Sequence, residues 1–323
     1  MKEIDVLLPF HKENTYLYSA IKSVNQSNNV KVRLLLIDDR LKPQKLTNQP
    51  DNSTIIKSFG AGYAGALNMA RIFLSSPHVA LMNSDDLVHP DRFNLQIQNL
   101  VDHNLQLSAC GIQKFNKRKF VLSRFGKLHT SGILDRRLLL LGAYGVDATW
   151  CGKTDWWKNN LEFTNLPMSD WATGIDVTNK IDIFFDPHEL YFYRQHTYQM
   201  TAESTFSAHG LETIIEKWHL LARVSGVSAL LPAEVAWVAA PRGREPLNKT
   251  SIERIARWLN EFNQITNESF VDLIARRYLL LFISYPKYKI ELKNILLAVS
   301  GANSLVLEKL SNFTKSRDLL KDE

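Results

Sequence analysis

The sequence predicts an α/β protein, with a mainly parallel sheet flanked by helices and a helical C-terminal region. Three observations support this fold class. Short apolar runs typical of strands alternate with helical patterns through the first part of the chain. Two of these runs end in paired aspartates, at the position where an open sheet usually binds its ligand. From about residue 200 helical patterns dominate, so we expect a sheet domain at 1–200 and a helical region at 201–323.

The individual elements follow from apolar periodicity, turn residues and capping residues. Strands are expected at residues 5–10, 30–37, 53–59, 78–82, 107–112, 144–150, 181–185 and 189–196. Helices are expected at 15–24, 66–74, 93–100, 134–141 and from 169 or 170, and then at 211–224, 251–262, 269–283 and 289–299. Pro9 should end the first strand, and Thr15 should cap the first helix. We expect the basic segment 113–130 to be an exposed hairpin or loop, with contact to anionic lipid as a minor alternative.

The composition and charge of the chain limit the classes of protein to which it could belong. The chain of 323 residues has a net charge of +6, and its basic residues are spread along it, which does not indicate nucleic-acid binding. Cys110 and Cys151 have neither a disulfide pattern nor zinc spacing, so we expect two reduced core thiols. The N-terminus enters a strand without a signal-peptide pattern, and no apolar run reaches the roughly 18 residues of a membrane span. We therefore expect a cytoplasmic protein, with the inner face of the membrane as an alternative location.

Adjacent carboxylates mark a candidate site. Asp85 and Asp86 follow the apolar run that ends at Met82, and Pro90 closes the segment. Such a pair is costly unless a positive group neutralises it, and a divalent cation that also holds a diphosphate meets that need. On this stretch alone, a solvated turn that caps the following helix explains the pair equally well. Asp170 has a similar structural explanation, as the N-cap of its helix.

A glycine motif offers a competing prediction. Gly60, Gly62 and Gly65 form G-x-G-x-x-G between a strand and a helix, and Asp85 follows about 20 residues later, which is the spacing of a dinucleotide-binding site. However, the motif follows the third strand rather than the first, and that strand contains the polar Lys57. No second mononucleotide-binding half follows either. The dinucleotide interpretation is therefore the weaker one.

Taken in order, several separated motifs resemble the family 2 glycosyltransferases of the GT-A fold. They are Leu7–His11, Ile37–Asp39, Gly62 with Asn68, Asn83–Asp86 with Pro90, Ser169–Asp170 and Tyr193–His196. The resemblance covers about residues 4–200 and does not extend into the helical region. It implies a Rossmann-like GT-A fold and a metal-assisted, inverting hexosyltransferase. Such an enzyme moves a sugar from a nucleotide-sugar, usually a UDP-sugar, to a hydroxyl of a saccharide or lipid-linked acceptor, as in polysaccharide biosynthesis.

The resemblance also implies which residues bind the nucleotide-sugar. Pro9, His11 and Asp39 match positions that contact the base and ribose. Gly62 and Asn68 match further positions of the same binding site.

A second group of residues matches the positions around the reacting bond. Asp86 matches the direct ligand of a Mg²⁺ or Mn²⁺ ion, and Asp85 a position near the ribose or the metal-bound water. Arg194 and His196 match a late segment that reaches the diphosphate or, for His196, the metal. Asp170 matches the catalytic base. These residue types suit the reaction, since the cation and basic side chains neutralise the departing diphosphate while one carboxylate takes the acceptor proton.

Two other functions remain open from the sequence. One is an NAD- or FAD-dependent oxidoreductase that uses the glycine motif. The other is a catalytically silent sugar-nucleotide-binding partner, because the chain departs from the family pattern. Leu67 replaces a frequent arginine, Ser169 replaces a frequent glutamate before the base, and Asp39 is followed by Arg40 instead of a small polar turn.

Overall fold

The computed structural model describes residues 1–116, 119–121, 131–142, 145, 147–164, 169–196, 208–239, 247–265 and 274. The chain divides into two compact units; among the described residues the first ends at Trp218 and the second begins at His219. Apart from Ile274, the helices expected at 269–283 and 289–299 lie outside the described residues, as does most of the basic segment beyond Val121.

In the described residues, ten strands form one mixed sheet. They are β1 Lys2–Phe10, β2 Val30–Asp38, β3 Ser53–Lys57, β4 His78–Leu81, β5 Leu87–Val88, β6 Leu107–Asn116, β7 Lys119–Val121, β8 Gly132–Ile133, β9 Cys151–Lys153 and β10 Ile183–Arg194. The order is β3-β2-β1-β4-β9-β6-β10-β5, with β7 paired to β6 and β8 to β10. Strands β3, β2, β1 and β4 are parallel, as are β6 and β10, whereas β9 is antiparallel to both neighbours. The α/β fold class is confirmed, with a mixed sheet.

The helices of the first unit are α1 Thr15–Asn25, α2 Gly62–Ala70, α3 Arg92–Asp102, α4 Thr154–Asn160 and α5 Ser169–Thr178. Short 3₁₀ segments occur at Arg71–Phe73, Arg136–Leu140 and Asp147–Thr149. Helix α6 Ala208–Val224 crosses the boundary between the units, and α7 Pro232–Ala239 and α8 Lys249–Ile265 follow. The described part of the C-terminal region is thus helical, as expected. None of the described helices combines the length and apolarity needed to cross a membrane.

Strand β1 lies in the middle of the sheet, and most of its residues are apolar. From Ile4 to Phe10 every residue is buried, as expected for a parallel strand covered on both faces. On α1, the apolar residues Leu17, Ile21 and Val24 recur at helical spacing and pack into the same core cluster. Because β1 lies between β2 and β4, the carboxyl ends of these three strands meet at one edge. This edge carries the candidate site.

Two expectations at the first turn are wrong. Strand β1 continues past Pro9, which pairs with Ile37, and ends at Phe10. Proline is tolerated here because the strand has almost reached its end. The cap of α1 is Asn14 instead of Thr15, since the Asn14 side chain accepts hydrogen bonds from the amides of Tyr16 and Leu17, at 2.9 and 3.0 Å.

Three elements further along also differ from expectation. The strand expected at 144–150 is replaced by the 3₁₀ turn at Asp147–Thr149, and the strand comes later, as β9. The helix expected at 134–141 is a 3₁₀ segment. The two strands expected at 181–196 are one, β10, because the irregular pairing near Asp186 bends the strand without ending it. The expected and the observed elements contain the same apolar residues, so periodicity alone does not distinguish them.

Candidate active site

Hydrogen bonds donated by backbone amides connect the carboxyl ends of β1, β2, β4 and β10. The amide of Asp39, just after β2, donates to the carbonyl of Phe10 at 2.9 Å, and the amide of Met82, just after β4, donates to Leu7 at 2.9 Å. At the end of β10, the amide of Arg194 donates to the carboxylate of Asp86 at 2.7 Å. Acidic and basic residues far apart in sequence are thus brought to one edge of the sheet.

Asp86 is the buried member of the aspartate pair. Its residue exposure is 0%. One carboxylate oxygen accepts from the Tyr191 hydroxyl at 2.6 Å and from the Asn83 amide at 3.3 Å, and the other accepts from the amide of Arg194. Burial and the nearby Asp85 charge raise the pKa of Asp86 to about 7, although these three hydrogen bonds favour its charged form. Both oxygens therefore already have protein donors.

Asp85 is the accessible member. Its side chain is 31% exposed, and one oxygen lies 2.9 Å from Nε2 of His196, whose side chain is 14% exposed. The Arg194 guanidinium Nε donates to the Asp85 carbonyl at 2.6 Å. The sequence predicted direct metal binding by Asp86 and a supporting role for Asp85. In the structure the Asp85 carboxylate is accessible, whereas that of Asp86 is buried and hydrogen-bonded through both oxygens.

The chemistry of this donor set determines how it could hold a cation. Among the described residues, no group of three or more histidine, cysteine, aspartate or glutamate side chains could enclose a metal ion. Asp85 and His196 supply one oxygen and one nitrogen on adjacent side chains. Mg²⁺ commonly binds through one or two carboxylates together with substrate phosphates, and imidazole is acceptable to Mn²⁺. The residues thus fit a cation shared with a diphosphate, but not a closed site built from protein alone.

Aromatic rings fix the basic side chains beside Asp85. The guanidinium of Arg194 lies 4.6 Å from the ring centroid of Tyr16 and 4.7 Å from that of Phe115. The imidazole of His196 lies 5.0 Å from the Tyr16 ring. Cation–π contacts of this kind hold a positive charge in place. The result is an oriented positive group next to the accessible carboxylate.

The Asp39 carboxylate caps helix α2. One oxygen accepts from the Ser58 hydroxyl at 2.7 Å, and the other accepts from the amide of Gly62 at 3.1 Å. Gly60 and Gly62 both have φ of +77°, a conformation that favours glycine, and this brings the start of α2 to Asp39. In a dinucleotide site, that helix N-terminus would bind phosphate. Here the carboxylate of the chain itself lies there, which explains the glycine motif structurally.

Arg40 turns back toward the core. Its guanidinium donates to both oxygens of Asp38, at 2.8 and 2.6 Å, and to Glu13 at 3.4 Å. A hydrogen bond from Tyr18, together with other donors, lowers the pKa of Glu13 to about 2. The basic residue that departs from the family pattern thus anchors the loop after β2. Of the two expected base contacts in β1 and after it, Pro9 is buried and His11 is exposed.

Asn68 connects α2 to the segment that precedes α5. Its side chain donates to the carbonyl of Phe163 at 2.7 Å and accepts from the amide of Phe163 at 3.0 Å. Arg71 donates to the carbonyl of Leu161 in the same segment. The amide expected to contact nucleotide-sugar therefore holds protein backbone instead.

The charges of four carboxylates act on the phenol of Tyr63. Burial, followed by the charges of Asp147, Asp170, Asp86 and Asp85, raises the pKa of Tyr63 well above its usual value. The Tyr63 hydroxyl donates to the Asn83 side chain at 3.3 Å. Asp170 and the aspartate pair after β4 therefore lie on the same side of the molecule, near one residue of α2.

Asp170 lies in the first turn of α5, and its environment favours the neutral form. Its carboxylate accepts from the amide of Trp171 at 2.8 Å, and the residue is partly exposed. Burial is the largest cause that raises the pKa of Asp170, opposed by backbone hydrogen bonds. A carboxylate with a raised pKa at an accessible position suits proton transfer.

Sequence patterns did not identify three residues of this site. Tyr63 lies inside the glycine motif, Asp147 was assigned to a strand, and Tyr191 lies in an apolar run of β10. The available signal was weak: a polar hydroxyl within an apolar strand is often hydrogen-bonded when buried. Their importance comes from contacts distant in sequence.

Comparison with known proteins agrees with this fold. The family model "Glycosyl transferase family 2" matches residues 5–141. The crystal structure of TarS residues 1–349 from S. aureus in complex with UDP-GlcNAc is similar in fold, with a TM-score of 0.56 at 14% identity over 91% of this chain and 90% of that one. The mannosyltransferase PcManGT from Pyrobaculum calidifontis, in complex with GDP-Man and Mn²⁺, gives 0.50 at 12% identity, over 98% and 80%. Curated proteins give no match to the sequence. The family resemblance and the GT-A fold are confirmed.

Proposed function

We propose that the chain, whose residues 5–141 match the family model of glycosyl transferase family 2, is an inverting glycosyltransferase that transfers a sugar from a nucleotide-sugar to a hydroxyl of a saccharide or lipid-linked acceptor. The observation that supports the proposal is that the charges of Asp170, Asp86 and Asp85 all act on one residue, Tyr63, whose hydroxyl donates to the side chain of Asn83 just before the aspartate pair. A base and a diphosphate-binding centre at one edge of the sheet are what a single displacement requires.

The donor site is proposed at the carboxyl edge of β1, β2 and β4. His11 and Asp39 line the nucleoside end, and Asp85 with Arg194 lies at the diphosphate end. Two structures of similar fold contain UDP-GlcNAc and GDP-Man respectively, which supports a nucleotide-sugar as the ligand class. We propose a UDP-sugar as the donor. Pro9 and Gly62 support this edge through their backbone, and Asn68 supports it through the hydrogen bonds of its side chain to Phe163.

A divalent cation, Mg²⁺ or Mn²⁺, would be held by Asp85 and His196 together with the diphosphate, and it would neutralise the leaving group. Arg194 adds a fixed positive charge beside the same carboxylate. Asp86 has a supporting role: its carboxylate accepts a hydrogen bond from the amide of Arg194 and so orients the end of β10. The Mn²⁺ in the structure of the mannosyltransferase is consistent with this choice of ion.

Asp170 is proposed as the general base. Its carboxylate takes the proton from the acceptor hydroxyl while that oxygen forms the new bond to the anomeric carbon. The bond from this carbon to the diphosphate breaks at the same time, and its electron pair remains on the diphosphate oxygen. Attack from the face opposite the leaving group inverts the anomeric centre. A base in this position usually contributes about 10²–10⁴-fold to the rate.

Thermal unfolding with nucleotides tests the ligand class. UDP at about 100 times its Kd, with Mn²⁺, should stabilise the folded protein by about 2.7 kcal/mol, or roughly 5–10 °C in Tm. The shift should be smaller without Mn²⁺ and in Asp85→Asn. It should persist in Asp51→Asn, which changes an exposed aspartate before β3. Stabilisation by NAD or FAD but not by UDP or GDP would contradict the proposal and favour an oxidoreductase.

A further inference from the structure

A second carboxyl group lies beside the proposed base and has no role in the proposal so far. Asp147 begins the 3₁₀ turn at Asp147–Thr149 and is only 3% exposed. Its Oδ2 atom is buried and has no hydrogen-bond partner among the residues that the structure describes. An ionised carboxylate with an unpartnered buried oxygen is strongly unfavourable, whereas the neutral acid is tolerated. The position therefore needs a proton, or a ligand that donates one.

Within the described part of the chain, no cation donates a hydrogen bond to the carboxylate of Asp147. Two titratable groups act on it: the charge of Asp170 of α5 raises its pKa, and a hydrogen bond with the neutral Tyr63 of α2 lowers it. Arg92 of α3 packs on the same turn, but its guanidinium donates to the carbonyl of Ala148, at 2.9 Å, and not to the carboxylate. Burial first, and the Asp170 charge second, raise the pKa of Asp147 to about 8. The turn that contains Asp147 packs against α5, the helix that contains Asp170, and two carboxyl groups that interact strongly titrate as a pair.

Resting on the proposed role of Asp170, we propose that Asp147 is a positioning residue that holds one proton next to the base, so that Asp170 carries the single negative charge of the pair. The carboxylic acid of Asp147 stabilises the anion at Asp170 without adding charge to the crevice. When Asp170 takes the acceptor proton, both groups are neutral, and release of that proton to water restores the pair. The proton on Asp147 remains in place throughout.

The consequence concerns alkaline pH. When Asp147 loses its proton, the pair carries two negative charges beside the crevice that receives the anionic donor. Donor binding is then weakened by repulsion. In the wild type, kcat/KM for a UDP-sugar should fall above about pH 8, mainly through a rise in KM. In Asp147→Asn, which is neutral and similar in shape, kcat/KM should stay level through this range while the acidic limb set by Asp170 is retained.

A matched control separates this effect from a loss of packing. Thr173→Val, on the same helix as Asp170, removes a buried hydroxyl that also has no hydrogen-bond partner. It changes the packing without changing the charge, so the alkaline fall in kcat/KM should remain. A merely structural role for Asp147 predicts the same profile in Asp147→Asn and in the control, and that result would overturn the proposal.

Infrared spectroscopy tests the proton without requiring turnover. The wild type at neutral pH should have a protonated-carboxyl C=O band that is missing from Asp147→Asn and retained in Thr173→Val. If no such band is lost, Asp147 is ionised and the inference is wrong. If the band is lost as expected but Asp170→Asn still turns over, the proposed base fails while the protonated Asp147 stands. The two failures are thereby distinguished.

Discussion

Replacement of Tyr191 by Phe tests whether Asp86 is held as a buried, titrating carboxyl. The change removes one hydroxyl, which donates to Asp86 at 2.6 Å and accepts from the amide of Asn83 at 3.3 Å. The ring is buried and lies 5.0 Å below the guanidinium of Arg92, so packing should be preserved. The effect should come from the lost hydrogen bonds.

The loss of stability caused by Tyr191→Phe should depend on pH, because Asp86 has a pKa of about 7. At about pH 8.5 the carboxylate is charged, and a hydrogen bond to a charged group contributes about 1.5–3 kcal/mol. At about pH 5.5 it is protonated, and the loss is that of a neutral bond, about 0.5–1.5 kcal/mol. The hydroxyl favours the charged form, so its removal also raises the pKa of Asp86 further. The destabilisation is therefore larger at the alkaline pH, by about 1 kcal/mol or more.

Urea unfolding of both proteins at the two pH values measures this difference. In Tm it corresponds to about 2–4 °C per kcal/mol for a unit of this size. The double variant Tyr191→Phe/Asp86→Asn is the control, because without a titrating carboxyl the effect of Tyr191→Phe should lose its pH dependence. An equal loss of stability at both pH values in the single variant would refute the assignment of Asp86.

Three further predictions concern neighbouring groups. Asn68→Ala should lower the free energy of unfolding by about 1–3 kcal/mol, because the hydrogen bonds to Phe163 are lost, and urea unfolding measures this change. Because Asn68 holds Phe163 rather than the ligand, the same variant should reduce kcat more than UDP affinity, which steady-state kinetics and UDP binding measure. The pKa values of Asp86 and Asp147 in the folded protein, about 7 and about 8, lie above that of an aspartate in the unfolded chain. The free energy of unfolding should therefore fall as the pH rises from about 4 through these two values. In urea unfolding across that range, each group should contribute up to about 1.4 kcal/mol per pH unit, and Asp147→Asn should remove one contribution. Asp85→Asn should weaken Mn²⁺ binding with UDP about tenfold or more, measured as free Mn²⁺ by electron paramagnetic resonance; unchanged affinity would argue against Asp85 as a ligand.

The strand ends of the site were predictable because the signal there is local. A continuous apolar run indicates a buried parallel strand, and acids directly after it must lie at the carboxyl edge. This reasoning brings Asp39, Asp85 and Asp86 together from the sequence alone. The order of motifs then indicated the family, and the match to residues 5–141 confirmed it.

Which of Asp85 and Asp86 is buried was not predictable from the sequence. Two adjacent aspartates have the same local signal, and which one is buried depends on Tyr191, 105 residues away in the chain. The glycine motif is a similar case. Its spacing fits a dinucleotide, and only the contact of Asp39 with the amide of Gly62 reveals that the helix start is already capped.

Asp147 was missed because a 3₁₀ turn has no extended periodicity to detect. The turn is held from outside, by Arg92 on the carbonyl of Ala148 and by the packing of β6 and α5. The apolar neighbours of Asp147 in the sequence fit a strand equally well. Its proximity to Asp170 is entirely a product of tertiary structure.

The most direct test of the proposed mechanism compares turnover and binding in Asp170→Asn. The substitution keeps the shape of the side chain and removes its capacity to accept a proton. With the UDP-sugar that the wild type uses, turnover should fall by about 10²-fold or more, while UDP affinity in the presence of Mn²⁺ stays within about twofold of the wild type, less than about 0.5 kcal/mol. Turnover that remains at the wild-type level would contradict the account, because Asp170 would then not be the base.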